Sequence, residues 1–169
     1  VADATAGLGG DAFSLAWAGC RVTAFERSAV IALLLNDALR RAAQDPQLAE
    51  AAARMSVQFG DAAGLLDEQG PFDVVYLDPM FPAGRKAAGK RKGMRLLHEL
   101  GHAAGDEAAL LEAARRNATR RVTVKRQLRS PYLAGLAPSG SIRGRTVRFD
   151  LYPVYPGQRT EDEGADEHE

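Results

Sequence analysis

Asp3-Ala-Thr-Ala-Gly-Leu-Gly-Gly-Asp11 forms a glycine-rich turn between an apolar strand end, Val1 and Ala2, and a helix-like run over residues 11–18. Glycine adopts backbone conformations closed to other residues and lets the main chain approach a ligand with no Cβ in the way. A turn of this kind between strand and helix therefore points to a layered α/β fold with a nucleotide-type ligand at the strand end. Residues 21–25 read as a second strand, and Ile31, Leu34, Leu35, Ala38 and Leu39 recur at helical spacing on one face of the following segment. Met55–Phe59 and Phe72–Leu77 read as strands three and four, the latter apolar enough for a buried parallel strand. Residues 108–114 read as helix and 121–125 as strand five. Alternating strands and helices imply parallel pairing through right-handed crossovers. Near the end, Val147, Phe149 and Leu151 alternate with Arg148, Asp150 and Tyr152, and Pro138-Ser-Gly140 and Gly144 supply turn residues, so a terminal hairpin is expected there. The fold class is α/β and Rossmann-like, a mostly parallel sheet with a C-terminal antiparallel hairpin.

With 169 residues, 46% of them hydrophobic, the chain is expected to form one domain over residues 1–156, followed by a disordered acidic tail over residues 157–169. The zero net charge hides that division. Residues 160–169 hold Glu161, Asp162, Glu163, Asp166, Glu167 and Glu169 without Lys or Arg, which leaves 22 basic against 16 acidic residues ahead of them, a charge of +6. Such a body suits a polyanionic partner, the bland alternative being simple solubility. Cys20 is the only cysteine, so no intrachain disulfide can form, and neither a signal peptide nor an apolar run of bilayer-spanning length is present. A cytoplasmic protein without a membrane partner is expected. Two apolar residues ahead of the turn are few for a central strand, so an N-terminal truncation is expected as well.

In open parallel sheets ligands bind outside the carboxyl ends of the strands, where the glycine-rich turn and Asp78-Pro79-Met80-Phe81 both lie. Gly7, Gly9 and Gly10 remove side chains that would block a ligand, and the first amides of the next helix point outward as donors. Asp3 and Asp11 make this pocket acidic. A pyrophosphate avoids added negative charge at a helix N-terminus, whereas S-adenosylmethionine brings an ammonium and a sulfonium, so the carboxylates favour the latter. Glu26, ending strand two, suits the ribose hydroxyls, and Asp61, ending strand three, suits the adenine amine. Singly, Asp11 and Asp61 also read as a helix cap and a turn residue. Gly7-x-Gly9-x-x-Ala12 also fits the loose dinucleotide fingerprint, leaving a nicotinamide-dinucleotide-dependent oxidoreductase as an alternative, though one with no use for Asp78-Pro79.

The acceptor side follows from the chemistry of an exocyclic base amine, whose lone pair is delocalised into the ring. An enzyme must hold the nitrogen in its pyramidal form, and acceptors aimed at the N–H groups can do so. The carboxylate of Asp78 and the carbonyl of Pro79 are the candidates, with Phe81 as a stacking face. An ordinary strand-ending turn is the plain alternative. Arg85, Lys86, Lys90, Arg91, Lys92 and Arg95 follow within a glycine-interspersed loop, residues 85–95, that suits a phosphate clamp, and Arg120, Arg121, Lys125, Arg126 and Arg129 could extend the basic surface. A non-catalytic RNA-binding domain that keeps the fold is the other alternative.

His98-Glu-Leu-Gly-His102 matches the zinc-protease helix signature. The third-ligand position of the longer pattern is Ala108, and Met55, Met80 and Met94 all precede the motif where a methionine turn must follow it. Two histidines make a poor zinc site, so no metal is expected.

Taken together, Asp3-Ala-Thr-Ala-Gly-Leu-Gly-Gly-Asp-Ala-Phe13, Gly19-Cys-Arg-Val22, Glu26-Arg27, Val74-Val-Tyr-Leu-Asp-Pro-Met-Phe-Pro82, Val122-Thr-Val-Lys-Arg126 and Arg148-Phe-Asp-Leu-Tyr152 resemble the RsmJ (YhiQ) family of class I methyltransferases. The resemblance covers nearly the whole chain before the tail. It implies S-adenosylmethionine as cofactor and the exocyclic N2 of a guanine in small-subunit (16S) ribosomal RNA as acceptor; from its charge, the basic loop over residues 85–95 is expected on that RNA, and no obligate protein partner is evident in the sequence. The resemblance also implies cofactor contacts from Gly10-Asp11, Glu26-Arg27, Asp61-Ala62 and Asp78. Two departures are visible: family members carry sequence ahead of the glycine-rich turn, and Ala83 stands where a polar residue is expected.

Overall fold

The chain, as a computed structural model, is described over residues 1–79 and 107–154. The strands within these residues are β1 (Ala2–Asp3), β2 (Val22–Glu26), β3 (Met55–Phe59), β4 (Phe72–Leu77), β5 (Ala118–Gln127), β6 (Gly140–Arg143) and β7 (Val147–Pro153). They form one sheet in the order β3-β2-β1-β4-β5-β7-β6. β1 to β5 pair in parallel, β7 runs antiparallel to β5, and β6 antiparallel to β7. The expected sheet and hairpin are therefore present. The direction of travel reverses at β1, between β2 and β4, which opens a crevice at the carboxyl ends of β1 and β4.

The helices are α1 (Gly10–Trp17), α2 (Ala29–Ala42), α3 (Ala49–Ala53), α4 (Ala62–Gln69) and α5 (Glu107–Asn117). Strand alternation sends successive side chains to opposite faces, so β2 packs both layers. Phe25 joins Val75, Leu77, Val122 and Val124 beneath Leu66 of α4 and Leu111, Ala113 and Ala114 of α5. Val22 and Ala24 join Ala12 and Ala16 of α1, Leu35 of α2 and Met55 on the other face. Small residues dominate the second layer, so α1 lies close to the sheet. Burying each large aliphatic side chain contributes about 1.5–3 kcal/mol, and these two layers hold the sheet between the helices.

Several elements differ from the sequence expectation. α3 and α4 were not expected, and β5 runs from Ala118 to Gln127 rather than over residues 121–125. On α2, Ile31 and Leu35 are buried but Leu34 is 48% exposed, so the buried stripe is narrower than its apolar residues suggest. The alternation in β7 holds with its faces reversed: Arg148, Asp150 and Tyr152 are buried, while Val147, Phe149 and Leu151 are half-buried. Asp150 is fully buried because it is neutralised. Arg148 Nε donates to both of its carboxylate oxygens at 2.9 and 3.1 Å, and Ser141 Oγ donates at 2.5 Å. The remaining Arg148 donors reach the carbonyls of Gln127, Leu128 and Ser130, and the guanidinium lies 5.1 Å from the Tyr132 ring centroid. A charge that satisfies its donors in this way can be buried; an unpaired one cannot.

Candidate active site

Asp3 ends β1 and the chain turns at once. Gly7 (φ 53°) and Gly9 (φ 77°) occupy the left-handed region that other residues enter at a cost, which explains their identity. The turn is pinned by three bonds: Ala4 N–H donates to Tyr76 O (3.0 Å), Ala6 N–H to Phe25 O (3.1 Å) and Gly7 N–H to Glu26 Oε2 (2.9 Å). A Cβ on Gly7 or Gly10 would meet nothing within 4 Å, so both face open space. A Cβ on Gly9 would instead lie 2.5 Å from Leu35 Cδ1, so this glycine clears room for α2 rather than for a ligand. α1 starts at Gly10, and the unpaired amides of its first turn lie beside that open space.

Glu26 is buried, and its carboxylate accepts from Gly7 N–H through one oxygen and from Ser28 N–H (2.7 Å) through the other. Each oxygen has a second lone pair, so the group can hold the turn and still accept from a ligand. Arg27 beside it is exposed. Gly60 N–H donates to the Glu26 carbonyl at 3.1 Å, which brings Asp61 alongside the end of β2. Asp61 caps α4, accepting from Gly64 N–H at 3.5 Å, and Ala62 is the first residue of that helix. The helix-cap reading of an acidic residue thus applies to Asp61 rather than to Asp11.

The acceptor corner lies directly against the turn. Asp78 N–H donates to Thr5 Oγ1 at 2.6 Å. Asp11 Oδ2 accepts from Tyr76 Oη at 2.6 Å and from Lys125 Nζ at 2.6 Å, and the same ammonium lies 3.0 Å from Asp78 Oδ2. Lys125 therefore turns into the site and Arg126 into the interior, and neither joins the basic surface suggested for them from sequence. Arg126 is 2% exposed, and its Nε and one terminal nitrogen donate to Pro131 O at 3.1 and 2.9 Å. Arg120, Arg121 and Arg129 are exposed, but Arg121 pairs with Val74 near the start of β4, away from the carboxyl ends of the strands. Lys125, Tyr76 and Thr5 are members of this cluster that sequence reasoning did not assign to the site, and Lys125 is the charged one. Its place at the carboxyl end of a central strand, out of phase with buried Val122, Val124 and Arg126, was the available signal.

Asp3, Asp11 and Asp78 act on one another, and the Lys125 ammonium pairs with the last two. Asp3 is 1% exposed, and burial pushes its carboxyl up to about 7, with Thr5 N–H opposing and Asp11 and Asp78 reinforcing the rise. Burial also raises Asp78, against the pull of Lys125. For Asp11, burial is outweighed by the hydrogen bonds from Lys125 and Tyr76, which hold it below the ordinary carboxylate range. Burial disfavours the Lys125 ammonium, yet its bonds to Asp11 and Asp78 raise it overall, so it stays charged. Burial and then the bond to Asp11 raise the Tyr76 phenol, keeping it a donor.

Pro79 lies within the described residues. Phe81, the basic loop 85–95, His98, His102 and the acidic tail lie outside them. Among the described residues no group of three or more His, Cys, Asp or Glu could hold a metal ion, and no helix is long and apolar enough to cross a membrane.

A crevice at the switch point of a mostly parallel sheet, floored by a glycine turn and lined with carboxylates, defines a Rossmann-like S-adenosylmethionine-dependent methyltransferase fold. Residues 1–154 match the family model described as "Putative SAM-dependent methyltransferase", and the chain belongs to this family, whose cofactor is S-adenosylmethionine. It is 48% identical over 159 residues to ribosomal RNA small subunit methyltransferase J of Neisseria meningitidis, a match covering 92% of this chain and 64% of that protein. Among solved structures, a SAM-dependent methyltransferase from Neisseria gonorrhoeae superposes with a TM-score of 0.74 at 44% identity, covering 91% of this chain and 64% of the other. An RNA methyltransferase from Salinibacter ruber, solved with S-adenosyl-L-homocysteine, shares the fold at 12% identity and a TM-score of 0.57, covering 95% of this chain and 85% of the other. The chain thus spans about 64% of the length of the meningococcal relative.

Proposed function

We propose that this chain is the catalytic domain of a cytoplasmic methyltransferase that modifies the exocyclic N2 of a guanine in small-subunit ribosomal RNA. The observation that carries the reading is the meeting of the two corners, Asp78 hydrogen-bonded to Thr5 and joined through Lys125 to Asp11. The names of both relatives support the class, and that of the meningococcal relative supports small-subunit ribosomal RNA as the substrate.

The open space beside Gly7 and Gly10, the first amides of α1 and the carboxylates of Asp3, Asp11 and Glu26 fit a cofactor that is cationic at one end and carries a ribose. Asp61, with Arg27 and Ala62, suits the adenine end. Bound there, S-adenosylmethionine would supply a methyl group made electrophilic by its sulfonium. The chain's own residues then present the acceptor. The Asp78 carboxylate and Pro79 carbonyl accept from the guanine N–H groups and turn the nitrogen lone pair out of the ring plane, with Phe81 stacking on the base. Alignment of the two reactants accounts for most of the rate. Once methylated the nitrogen is cationic and sheds a proton readily, and Asp78, raised by its burial, is placed to take it. The basic loop 85–95 holds the RNA phosphates, and the base reaches Asp78 from an unpaired or flipped position.

Two measurements test the reading: S-adenosylmethionine titration by calorimetry, and transfer of labelled methyl to small-subunit RNA lacking the modification. Saturable cofactor binding and label recovered in N2-methylguanosine are the expected results. RNA binding without any saturable cofactor affinity would make the chain a non-catalytic RNA-binding domain, and tight binding of a nicotinamide dinucleotide would make it an oxidoreductase.

A further inference from the structure

We infer that Lys125 is a positioning residue of this site: its ammonium clamps the carboxylate of Asp11, in the first turn of α1, to that of Asp78, on the corner after β4. The inference rests on the proposed methyltransferase reading and extends it to the strand on the far side of β4. The two contacts, 2.6 and 3.0 Å, come from one nitrogen. They link α1 to the corner after β4, beside the Asp78 amide on Thr5, the Ala4 amide on Tyr76 O and the Tyr76 hydroxyl on Asp11. Without the ammonium, Asp11 and Asp78 would repel each other across the space where the methyl donor and the amine must meet, Asp78 would be free to turn away, and Asp11 would keep only its bond from Tyr76.

The residue type suits the task. An ammonium is a compact charge with three donors and can serve two carboxylates that approach from different directions. The Lys125 side chain is 24% exposed, which strengthens the pairing relative to a surface ion pair. The charged and titratable groups facing the cluster are Asp3 from β1, Asp11 from α1, Tyr76 and Asp78 from β4 and its end, and Arg126 beside Lys125 on β5. One ammonium therefore offsets the two carboxylates it touches, Asp11 and Asp78. Because its own proton is held tightly, Lys125 fixes the carboxylates without serving as the base.

The test compares the wild-type chain with Lys125→Met, Lys125→Gln and Lys125→Arg. The Asp11 and Asp78 carboxyls are titrated by carbon-detected NMR, and kcat/KM for methyl transfer is followed against pH. In the Met and Gln variants both carboxyl pKa values and the acidic limb of the rate profile are expected to rise by about one unit or more, with kcat down by about ten-fold or more. Lys125→Arg should return the acidic limb close to its wild-type position. Two uncharged variants are used so that poor folding of one does not remove the test. Unmoved carboxyl titrations, or an Arg variant no better than Met, would overturn the inference. Wild-type protein that neither binds cofactor nor transfers methyl would instead remove the functional reading, while the carboxyl titrations would still report on the clamp.

Discussion

Thr5 and Asp78 are 73 residues apart in sequence, yet the hydroxyl of the first accepts the backbone N–H of the second at 2.6 Å. The bond ties the glycine turn after β1 to the corner after β4, so cofactor side and acceptor side share one rigid seam. Because the donor is a backbone amide, the seam survives replacement of the Asp78 side chain.

Asp78→Ala should therefore fold and bind RNA much as the wild type does while losing methyl transfer by about a hundred-fold or more. Turnover assays beside RNA-binding isotherms check this, and undiminished turnover would remove Asp78 from the acceptor site.

Asp3 gives the stability a definite pH dependence. Its carboxyl titrates near the ordinary 3.8 when unfolded and at about 7 when folded. Below both values neither state is ionised and the group contributes nothing against folding. Between them the unfolded chain has released a proton that the folded chain retains, so stability falls as pH rises and levels off above about 7. Asp3→Asn keeps an acceptor for Thr5 N–H and removes the titration. Urea unfolding at pH 4.5 and 7.5 should show the variant gaining on the wild type by up to about 3 kcal/mol across that interval.

Gly10 separates a binding role from a folding role. A Cβ there meets nothing within 4 Å, and its φ is not positive, so Gly10→Ala is expected to leave the melting temperature unchanged or slightly higher. The same methyl group projects into the space assigned to the cofactor and should weaken S-adenosylmethionine binding about five-fold or more, read by calorimetry.

Arg148→Met removes the partner of a fully buried carboxylate, Asp150. A loss of about 3–5 kcal/mol is expected in chemical denaturation. The double variant Arg148→Met with Asp150→Asn should lose less than Arg148→Met alone, because no buried charge then stands unpaired.

Lys90, Arg91 and Lys92 changed together to Ala should lower the slope of log affinity against log salt for single-stranded RNA by about two. An unchanged slope would place the phosphate contacts elsewhere.

The parallel strands were readable because buried β-branched runs with turn residues at their ends have few other uses. α4 escaped notice because Gly64 interrupts an eight-residue segment whose helical character comes from capping by Asp61 and packing of Leu66 on the sheet, neither of them a periodic signal. In β7 the apolar residues advertised one face, but the core took Arg148, Asp150 and Tyr152, because those side chains stand opposite Arg126, Val124 and Val122 on β5. Lys125 was hidden for a related reason. In one dimension it is one more cation among Arg120, Arg121 and Arg126, and only the pleat of β5 sends it to Asp11 while Arg126 turns inward.

Asp11 and Lys125 are separated by 114 residues. A nascent chain leaving the ribosome carries the glycine turn long before the lysine that completes its charge pattern has been made. Any affinity for the methyl donor that depends on the finished arrangement thus arises late in synthesis, after the strand bearing Lys125 has docked beside β4.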